Sequence, residues 1–283
     1  MGFSQTMSVG NRKVTISDTI EVPDYLILSS RGPKRTGKSH LGGTMPGSIG
    51  WLPFDPNSRW TAEKLQREGA KIIMPTTEFN RVEDPEAVAM MEPAAAKQYY
   101  WDYLKVVRAV YNRYLDTPQI KSIVIDTGGQ LFEDVMYAHY GRKTTAEIVA
   151  YGAPRQTFKD WFITPCSKNL LICHHARPVY VDNKKTGAYE IEGCSKLPDW
   201  VSAEVEHFFM ESQADAQIKK TLWGGMHDDN RDAAKWKAKQ FGLRIINATM
   251  NMEAVGKCLI GDECNFEFLM YAISEELHAK YYG

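Results

Sequence analysis

The 283-residue sequence has few cysteines, no long apolar run and almost no excess charge of either sign. No apolar segment approaches the length needed to span a bilayer, and residues 1–11 are polar and small, unlike the apolar core of a signal peptide. We therefore expect a cytoplasmic protein with no membrane partner. The cysteines form no C-x-x-C pair, and their odd number and irregular spacing argue against a disulfide framework: Cys166, Cys173, Cys194, Cys258 and Cys264.

A formal net charge of −1 excludes a globally basic nucleic-acid-binding protein, so contact with DNA or RNA would depend on local patches. Hydrophobic residues make up 43% of the chain, which is enough for a substantial core. We expect one α/β domain over residues 23–250. Residues 1–22 would form an N-terminal arm, and residues 251–283 an extension packed on the same domain.

The most informative motif, at residues 32–39, matches the phosphate-binding pattern G-x-x-x-x-G-K-[ST]. In such loops, glycines let backbone N–H groups turn around phosphate oxygens, the lysine adds a positive charge, and the hydroxyl can bind Mg²⁺. A short apolar run at 25–28 precedes it, as a buried parallel strand would. The motif predicts ATP with Mg²⁺ as the ligand. The expected contacts are Gly32, Pro33, Lys34, Arg35, Thr36, Gly37, Lys38, Ser39 and His40.

Apolar segments of strand length alternate with helical patterns along the chain. Apolar residues at steps of three and four from Tyr100 to Tyr114 predict a long amphipathic helix, whereas Gly42, Gly43 and Pro46 limit the helix after Ser39 to about two turns. The predicted strands lie at 49–54, 71–74, 123–126, 169–175, 205–210, 217–222 and 243–246, with a hairpin around 182–187. Pro53 would have to lie at an edge or a bulge.

This alternation predicts an α/β fold of the P-loop NTPase class, with a mainly parallel sheet flanked by helices, a β-hairpin and mixed C-terminal strands. Ligands of such sheets bind outside the carboxyl ends of the strands. Asp126 follows an apolar strand there, so its carboxylate can hold a Mg²⁺-bound water opposite Ser39. For the group that activates water, Asp55 is the first candidate, with Glu78 and Glu133 behind it.

Two histidines, His174 and His175, end another predicted strand. They could sense the γ-phosphate, supply metal ligands together with Cys173, or be structural. Adjacent residues on a strand point to opposite faces, so the two rings cannot easily bind one ion.

Basic residues with interleaved aromatics follow two of the predicted strands, a composition that suits single-stranded nucleic acid but is also common on solvated surfaces. A second basic stretch lies at 219–244. The residues of the first group are Arg142, Lys143, Tyr151, Arg155, Arg177, Lys184, Lys185 and Lys196.

With these elements placed, the chain resembles the RecA-like phage ATPases that accompany single-strand annealing recombination, over roughly residues 24–210. The resemblance rests first on the motif at 32–39. It rests also on Ile123, Val124, Ile125, Asp126 and Thr127 followed by Leu131, on Tyr151 and Gly152, on the run from Leu171 to His175, and on Lys196, Leu197 and Pro198 leading to Val205, Glu206, His207 and Phe208.

The resemblance implies a RecA-like fold in which Lys38 and Ser39 bind phosphate and Mg²⁺, Asp126 belongs to the metal shell, and His175 is the sensor. It also implies a filament or ring of identical subunits, single-stranded DNA on the loops after Asp126 and His175, and a single-strand-binding or annealing partner protein. The setting would be the bacterial host cytoplasm. In this family a glutamate lies two residues after the strand-end aspartate, where this chain has Asn57, so strong hydrolysis would require Asp55 as a substitute.

Three functions remain open from the sequence. The first is an ATP-hydrolysing protein that acts on single-stranded DNA. The second is a nucleotide-dependent assembly protein with weak hydrolysis, which Asn57 favours. The third is a small-molecule or nucleotide kinase, for which the acidic segment 78–93 would be a poor lid over phosphorylated acceptors.

Overall fold

A computed structural model describes residues 4–9, 12–17, 23–33, 36–75, 88, 90–141, 151–181, 184–210 and 240–283 of the chain. Several predictions fall outside these residues. They concern Lys34 and Arg35 of the motif, Arg142 and Lys143, the strand at 217–222, most of the acidic segment 78–93, and most of the basic stretch 219–244.

Nine of the strands described here form one mixed sheet. The strands in the described residues are β1 (Ser4–Val9), β2 (Arg12–Ser17), β3 (Ile27–Gly32), β4 (Ser48–Pro53), β5 (Ile72–Ile73), β6 (Ile120–Asp126), β7 (Asn169–Val181), β8 (Lys184–Ile191), β9 (Ala203–Met210), β10 (Gln240–Ala248) and β11 (Cys258–Ile260). The spatial order is β11-β10-β9-β3-β7-β6-β4-β5, with β8 paired to β7, while β1 and β2 form a separate antiparallel pair.

The central part of the sheet is parallel. Strands β9, β3, β7, β6, β4 and β5 pair in parallel, whereas β10 and β11 add antiparallel strands at one side and β8 forms an antiparallel hairpin with β7. The predicted α/β fold, mainly parallel with a hairpin and mixed C-terminal strands, is therefore confirmed. The prediction that a strand ends at His175 is wrong, since β7 continues to Val181 and pairs with β8 from Ala176 onward.

Helices cover both faces of the sheet. They are α1 (Lys38–Gly43), α2 (Pro56–Arg67), α3 (Pro93–Asp116), α4 (Gly128–Tyr140), α5 (Gly152–Phe158), α6 (Phe266–Ile273) and α7 (Glu275–Tyr282). The predicted long helix corresponds to α3, whose buried residues include Tyr100, Leu104, Val107, Tyr111 and Tyr114. The short helix expected after the motif is α1, which has six residues.

Two apolar cores lie on opposite faces of the sheet. One contains side chains of α3, α4 and α5, such as Leu104, Phe132 and Phe158. The other contains Leu41 of α1 and Leu65 of α2 together with Phe266, Leu269 and Leu277 of the C-terminal helices. Residues 251–283 thus contribute buried side chains to the same core as the helix that follows the motif.

Local sequence signals explain the beginnings of the helices beside the sheet's carboxyl end. Asp55 caps α2, because its side chain accepts a hydrogen bond from the Ser58 amide at 2.9 Å and Pro56 occupies the first helical position. Thr127 caps α4. Pro53 is the last residue of β4, beyond the part that pairs with the two-residue β5, so its missing N–H removes no bond between these two strands.

Candidate functional site

The loop at residues 32–39 joins the end of β3 to the start of α1, as the motif requires. Gly37 is the residue before the helix and has a φ of 93°, a conformation that favours glycine. Gly32 is packed against β9: a Cβ atom placed on it would lie 2.7 Å from the His207 carbonyl oxygen. Both glycines of the pattern are therefore required by the backbone of this loop.

Lys38 is buried within this loop. Its Nζ donates hydrogen bonds to the carbonyl oxygens of Gly32, at 2.9 Å, and Pro33, at 2.6 Å. Burial lowers the pKa of Lys38, while the neighbouring Cys173 and Asp126 oppose that shift. The ammonium group thus lies at the carboxyl end of the sheet and is bonded only to the loop's own carbonyl groups among the contacts described.

Ser39 and Asp126 meet across the sheet. The Ser39 hydroxyl donates to the Asp126 carboxylate at 2.7 Å, although β3, which leads to Ser39, is separated from β6 by β7. Burial raises the pKa of Asp126 and the nearby Asp55 adds to the increase, whereas hydrogen bonds from Ser39 and Ser58 and the charge of Lys38 lower it. A hydroxyl and a buried carboxylate at this distance fit Mg²⁺, which prefers oxygen ligands at short range. The peptide bond between Asp126 and Thr127 is cis.

Asp55 lies beside this pair. The Phe54 amide donates to the Asp126 carbonyl oxygen at 2.6 Å, which ties the end of β4 to the end of β6. One carboxylate oxygen of Asp55 already accepts the Ser58 amide as the cap of α2. Asp55 and Asn57 both line the cleft that contains Lys38. A water-activating role for Asp55 stays a prediction.

The two adjacent histidines have different environments. His175 lines the cleft, whereas His174 is fully buried and its Nδ1 lies 3.1 Å from the Glu192 carbonyl oxygen. Burial lowers the pKa of His174 to about 4, so the ring is neutral near pH 7. Successive side chains of β7 point to opposite faces of the sheet, which separates the two rings, as the sequence predicted. No group of three or more histidine, cysteine or acidic side chains suited to a metal ion occurs among the described residues.

His207 was missed as a site residue in the sequence. It lies on β9, which pairs in parallel with β3, and its Nδ1 is 3.2 Å from the Thr36 carbonyl oxygen. His207 is 2% exposed, and burial lowers the pKa of its ring to about 3. Phe241 of β10 also borders the loop, since a Cβ atom on Gly37 would lie 3.4 Å from its ring. The local apolar pattern gave no indication that β9 would be the neighbour of β3.

The cleft is open and large, about 1870 Å³. Around it the structure brings together most of the predicted site residues that it describes. These are Thr36, Gly37, Lys38, Ser39, His40, Asp55, Asp126 and His175. Tyr151, Arg155 and Arg177 lie on the same cleft.

Comparisons with known proteins identify no family for this chain. No family model matches it, and no curated protein matches it. Among solved structures, it is similar to the RadB recombinase, with a TM-score of 0.42 and 10% sequence identity over 84% of this chain and 86% of that one. A similarity this distant carries no inference about function. In the described part of the chain, no helix has the length and apolar character of a membrane span.

Proposed function

We propose that the protein binds ATP with Mg²⁺ at the 32–39 loop and hydrolyses it, as a RecA-like P-loop ATPase. The observation that carries this proposal is the hydrogen bond between Ser39 and Asp126, beside the buried ammonium of Lys38. In P-loop NTPases the loop serine or threonine and a strand-end aspartate hold the magnesium ion, while the lysine contacts the phosphates. The chain supplies all three groups at the carboxyl end of the parallel strands of one sheet.

The chain's own residues have distinct roles in this reaction. Lys38 exchanges the carbonyl oxygens of Gly32 and Pro33 for phosphate oxygens, which removes part of the penalty of burying an ammonium among neutral groups. Ser39 and Asp126 hold Mg²⁺, which neutralises charge on the phosphates. Asp55 orients or deprotonates the attacking water through the carboxylate oxygen that does not cap α2.

Single-stranded DNA is the proposed polymer partner. Two cation–aromatic pairs support it: Arg155 lies 5.3 Å from the Tyr151 ring centroid, and Lys159 lies 5.4 Å from that of Trp200. Aromatic rings between basic groups can stack bases while phosphates are neutralised. Arg155 is further fixed by a 2.9 Å hydrogen bond to Ser195, and it borders the cleft, so DNA and nucleotide would be close.

The open cleft supports assembly with further chains. Its volume of about 1870 Å³ exceeds the roughly 300–1,000 Å³ typical of a small-molecule pocket. A neighbouring subunit of a filament or ring could therefore close it and supply a basic residue to the phosphates. A single-strand-binding or annealing protein is the proposed partner in the bacterial host cytoplasm.

A DNA-stimulated ATPase assay tests the proposed function. We expect phosphate release that requires Mg²⁺, rises when single-stranded DNA is added and disappears in Lys38→Ala. The double variant Tyr151→Ala, Arg155→Ala should keep its basal rate and lose most of the stimulation. Equal phosphate release by the wild type and Lys38→Ala would contradict the ATPase, and absence of stimulation would contradict the role of DNA.

A second candidate is a nucleotide-dependent assembly protein with slow turnover. It is favoured by Asp55, whose carboxylate is partly occupied as a helix cap, and by Asn57 at the position where the resembling family has glutamate. Asn57→Glu distinguishes the two, because a carboxylate in the same cleft should raise hydrolysis only if the site lacks a base. A large increase in turnover would favour slow hydrolysis in the natural protein.

A further inference from the structure

We infer that His207 is a positioning residue for nucleotide binding, because its imidazole fixes the orientation of the Thr36–Gly37 peptide in the 32–39 loop. This inference rests on the proposed function, since it concerns how the same loop receives phosphate. Neither the motif nor the resemblance of the chain assigns this role to a residue of β9.

The first observation is the position of His207 beneath the loop. In the parallel pairing of β3 with β9, Arg31 lies opposite Glu206, so His207 follows at the level where the loop begins. A Cβ atom on Gly32 would lie 2.7 Å from the His207 carbonyl oxygen and 3.0 Å from its Cβ. The loop therefore rests directly on this residue, which is only 2% exposed.

The second observation is the contact with the loop backbone. His207 Nδ1 lies 3.2 Å from the Thr36 carbonyl oxygen, and a carbonyl oxygen can only accept, so Nδ1 must carry the proton. A deeply buried ring of this kind is neutral, which leaves Nε2 unprotonated. That atom is buried and has no hydrogen-bond partner among the described residues. An imidazole kept in one tautomer is a defined donor.

The consequence concerns the next amide. In a planar trans peptide the carbonyl and the following N–H point in opposite directions. When His207 holds the Thr36 carbonyl, the Gly37 N–H points to the opposite side of the peptide from His207, which leaves it available to a phosphate oxygen. Gly37 has the φ of 93° that such a turn needs. His207 thus prepares one amide of the loop for an anion.

Two substitutions separate this role from simple packing. His207→Asn keeps an N–H donor near the position of Nδ1 but leaves space unfilled, whereas His207→Leu fills the buried site and removes the donor. If His207 only packs, the leucine variant is the better of the two. If it positions the peptide, asparagine rescues nucleotide binding and leucine does not.

Isothermal calorimetry of the full chain with ATP and Mg²⁺ is the measurement. We expect a dissociation constant raised on the order of tenfold in His207→Leu, consistent with the loss of one orienting hydrogen bond, and changed by less than about threefold in His207→Asn. Equal affinities in both variants, or a greater loss in His207→Asn, would overturn the inference. If the wild type itself shows no binding, it is the proposed function that fails.

A spectroscopic measurement on the wild type tests the inference even if the variants do not fold. In ¹⁵N-histidine NMR near pH 7, His207 should show a neutral ring protonated at Nδ1. A ring protonated only at Nε2 contradicts the donor role regardless of the binding results, because Nδ1 then has no proton to donate.

Discussion

Several ionisable side chains around the 32–39 loop are almost completely removed from water, among them Lys38, Asp126, His174 and His207. Burial acts on each in the direction that disfavours charge, lowering the pKa of Lys38, His174 and His207 and raising that of Asp126. Shifted groups cluster in this way at functional sites, because binding and catalysis use interactions that water would otherwise weaken.

The sequence predicted only part of this arrangement. The motif and the strand-end carboxylate predicted that Ser39 and Asp126 would meet, because the carboxyl ends of parallel strands share one edge. The role of His207 could not be predicted, because it depends on the order of the strands, which local patterns do not specify. His174 and His175 could be assigned to opposite faces, but not to particular contacts.

The Ser39 hydroxyl should determine the magnesium requirement. In Ser39→Ala we expect the Mg²⁺ concentration for half-maximal ATP binding to rise about tenfold or more, since one oxygen ligand and its bond to Asp126 are lost. Ser39→Thr is the matched control, because the motif accepts either hydroxyl, and should resemble the wild type. A Mg²⁺ titration that gives the same midpoint for all three proteins would rule out Ser39 as a ligand.

His174 should make stability depend on pH. Its pKa is about 4 in the folded chain against an ordinary 6.5, so between these values the unfolded state binds more protons and stability falls as pH falls. From about pH 7.5 to about pH 5 this amounts to roughly 2 kcal/mol. His174→Asn keeps an N–H toward the Glu192 carbonyl but cannot titrate.

Urea unfolding of wild type and His174→Asn at several pH values measures this effect. In each protein, the free energy of unfolding is plotted against pH, and the slopes of the two plots are compared. Acids with raised pKa values, such as Asp126 and Glu204, contribute equally to both slopes, so the difference between the slopes belongs to His174. Parallel curves for the two proteins would mean that His174 binds protons equally in the folded and unfolded states, so that burial does not shift its pKa.

At the scale of elements, the start of α4 packs closely against the residues that follow β8, at the carboxyl end of the sheet. A Cβ atom on Gly129 would lie 2.8 Å from the Glu192 carbonyl oxygen, and one on Gly193 would lie 2.8 Å from the Gly129 Cα. The hairpin was predicted from its turn residues. The extension of β7 past His175 was not predicted. Up to His175, β7 pairs with the parallel strands β3 and β6, and from Ala176 onward it pairs with the antiparallel strand β8.

Gly129→Ala should destabilise the protein by about 1–3 kcal/mol, since the new methyl group meets backbone that cannot move freely. Gly152→Ala is the control. It is also in the first turn of a helix, and a Cβ atom there would have no neighbour within 4 Å among the described residues. Denaturant midpoints that fall equally in both variants would contradict the close packing at Gly129.

At the scale of the whole molecule, the C-terminal helices α6 and α7 share one core with α1, the helix that follows the 32–39 loop. The Phe266 amide donates to the Thr44 hydroxyl at 2.9 Å, and the Tyr281 hydroxyl donates to the Asp24 carbonyl oxygen at 2.8 Å. The α/β class could be predicted because strands and helices alternate in the sequence. The division into 1–22, 23–250 and 251–283 stays a prediction. Apolar patterns in the sequence do not reveal which core a helix near the C-terminus packs against.

Two neighbouring residues of α6 test that division. Leu269 is fully buried and Phe268 is 47% exposed. Leu269→Ala should cost about 2–5 kcal/mol, and Phe268→Ala less than about 1 kcal/mol. If 251–283 belongs to the main domain, Leu269→Ala lowers the midpoint of a single cooperative unfolding transition. A separate early transition that leaves the remainder unaffected would show an independent unit.

The most direct measurement of the central claim is calorimetric titration of the purified chain with ATP and Mg²⁺. We predict saturable binding at one site per chain in the wild type and its loss in Lys38→Ala, because that substitution removes the ammonium from the loop while leaving the strands unchanged. Absence of heat in the wild type, or equal binding by Lys38→Ala, would contradict the assignment of residues 32–39 to a nucleoside triphosphate.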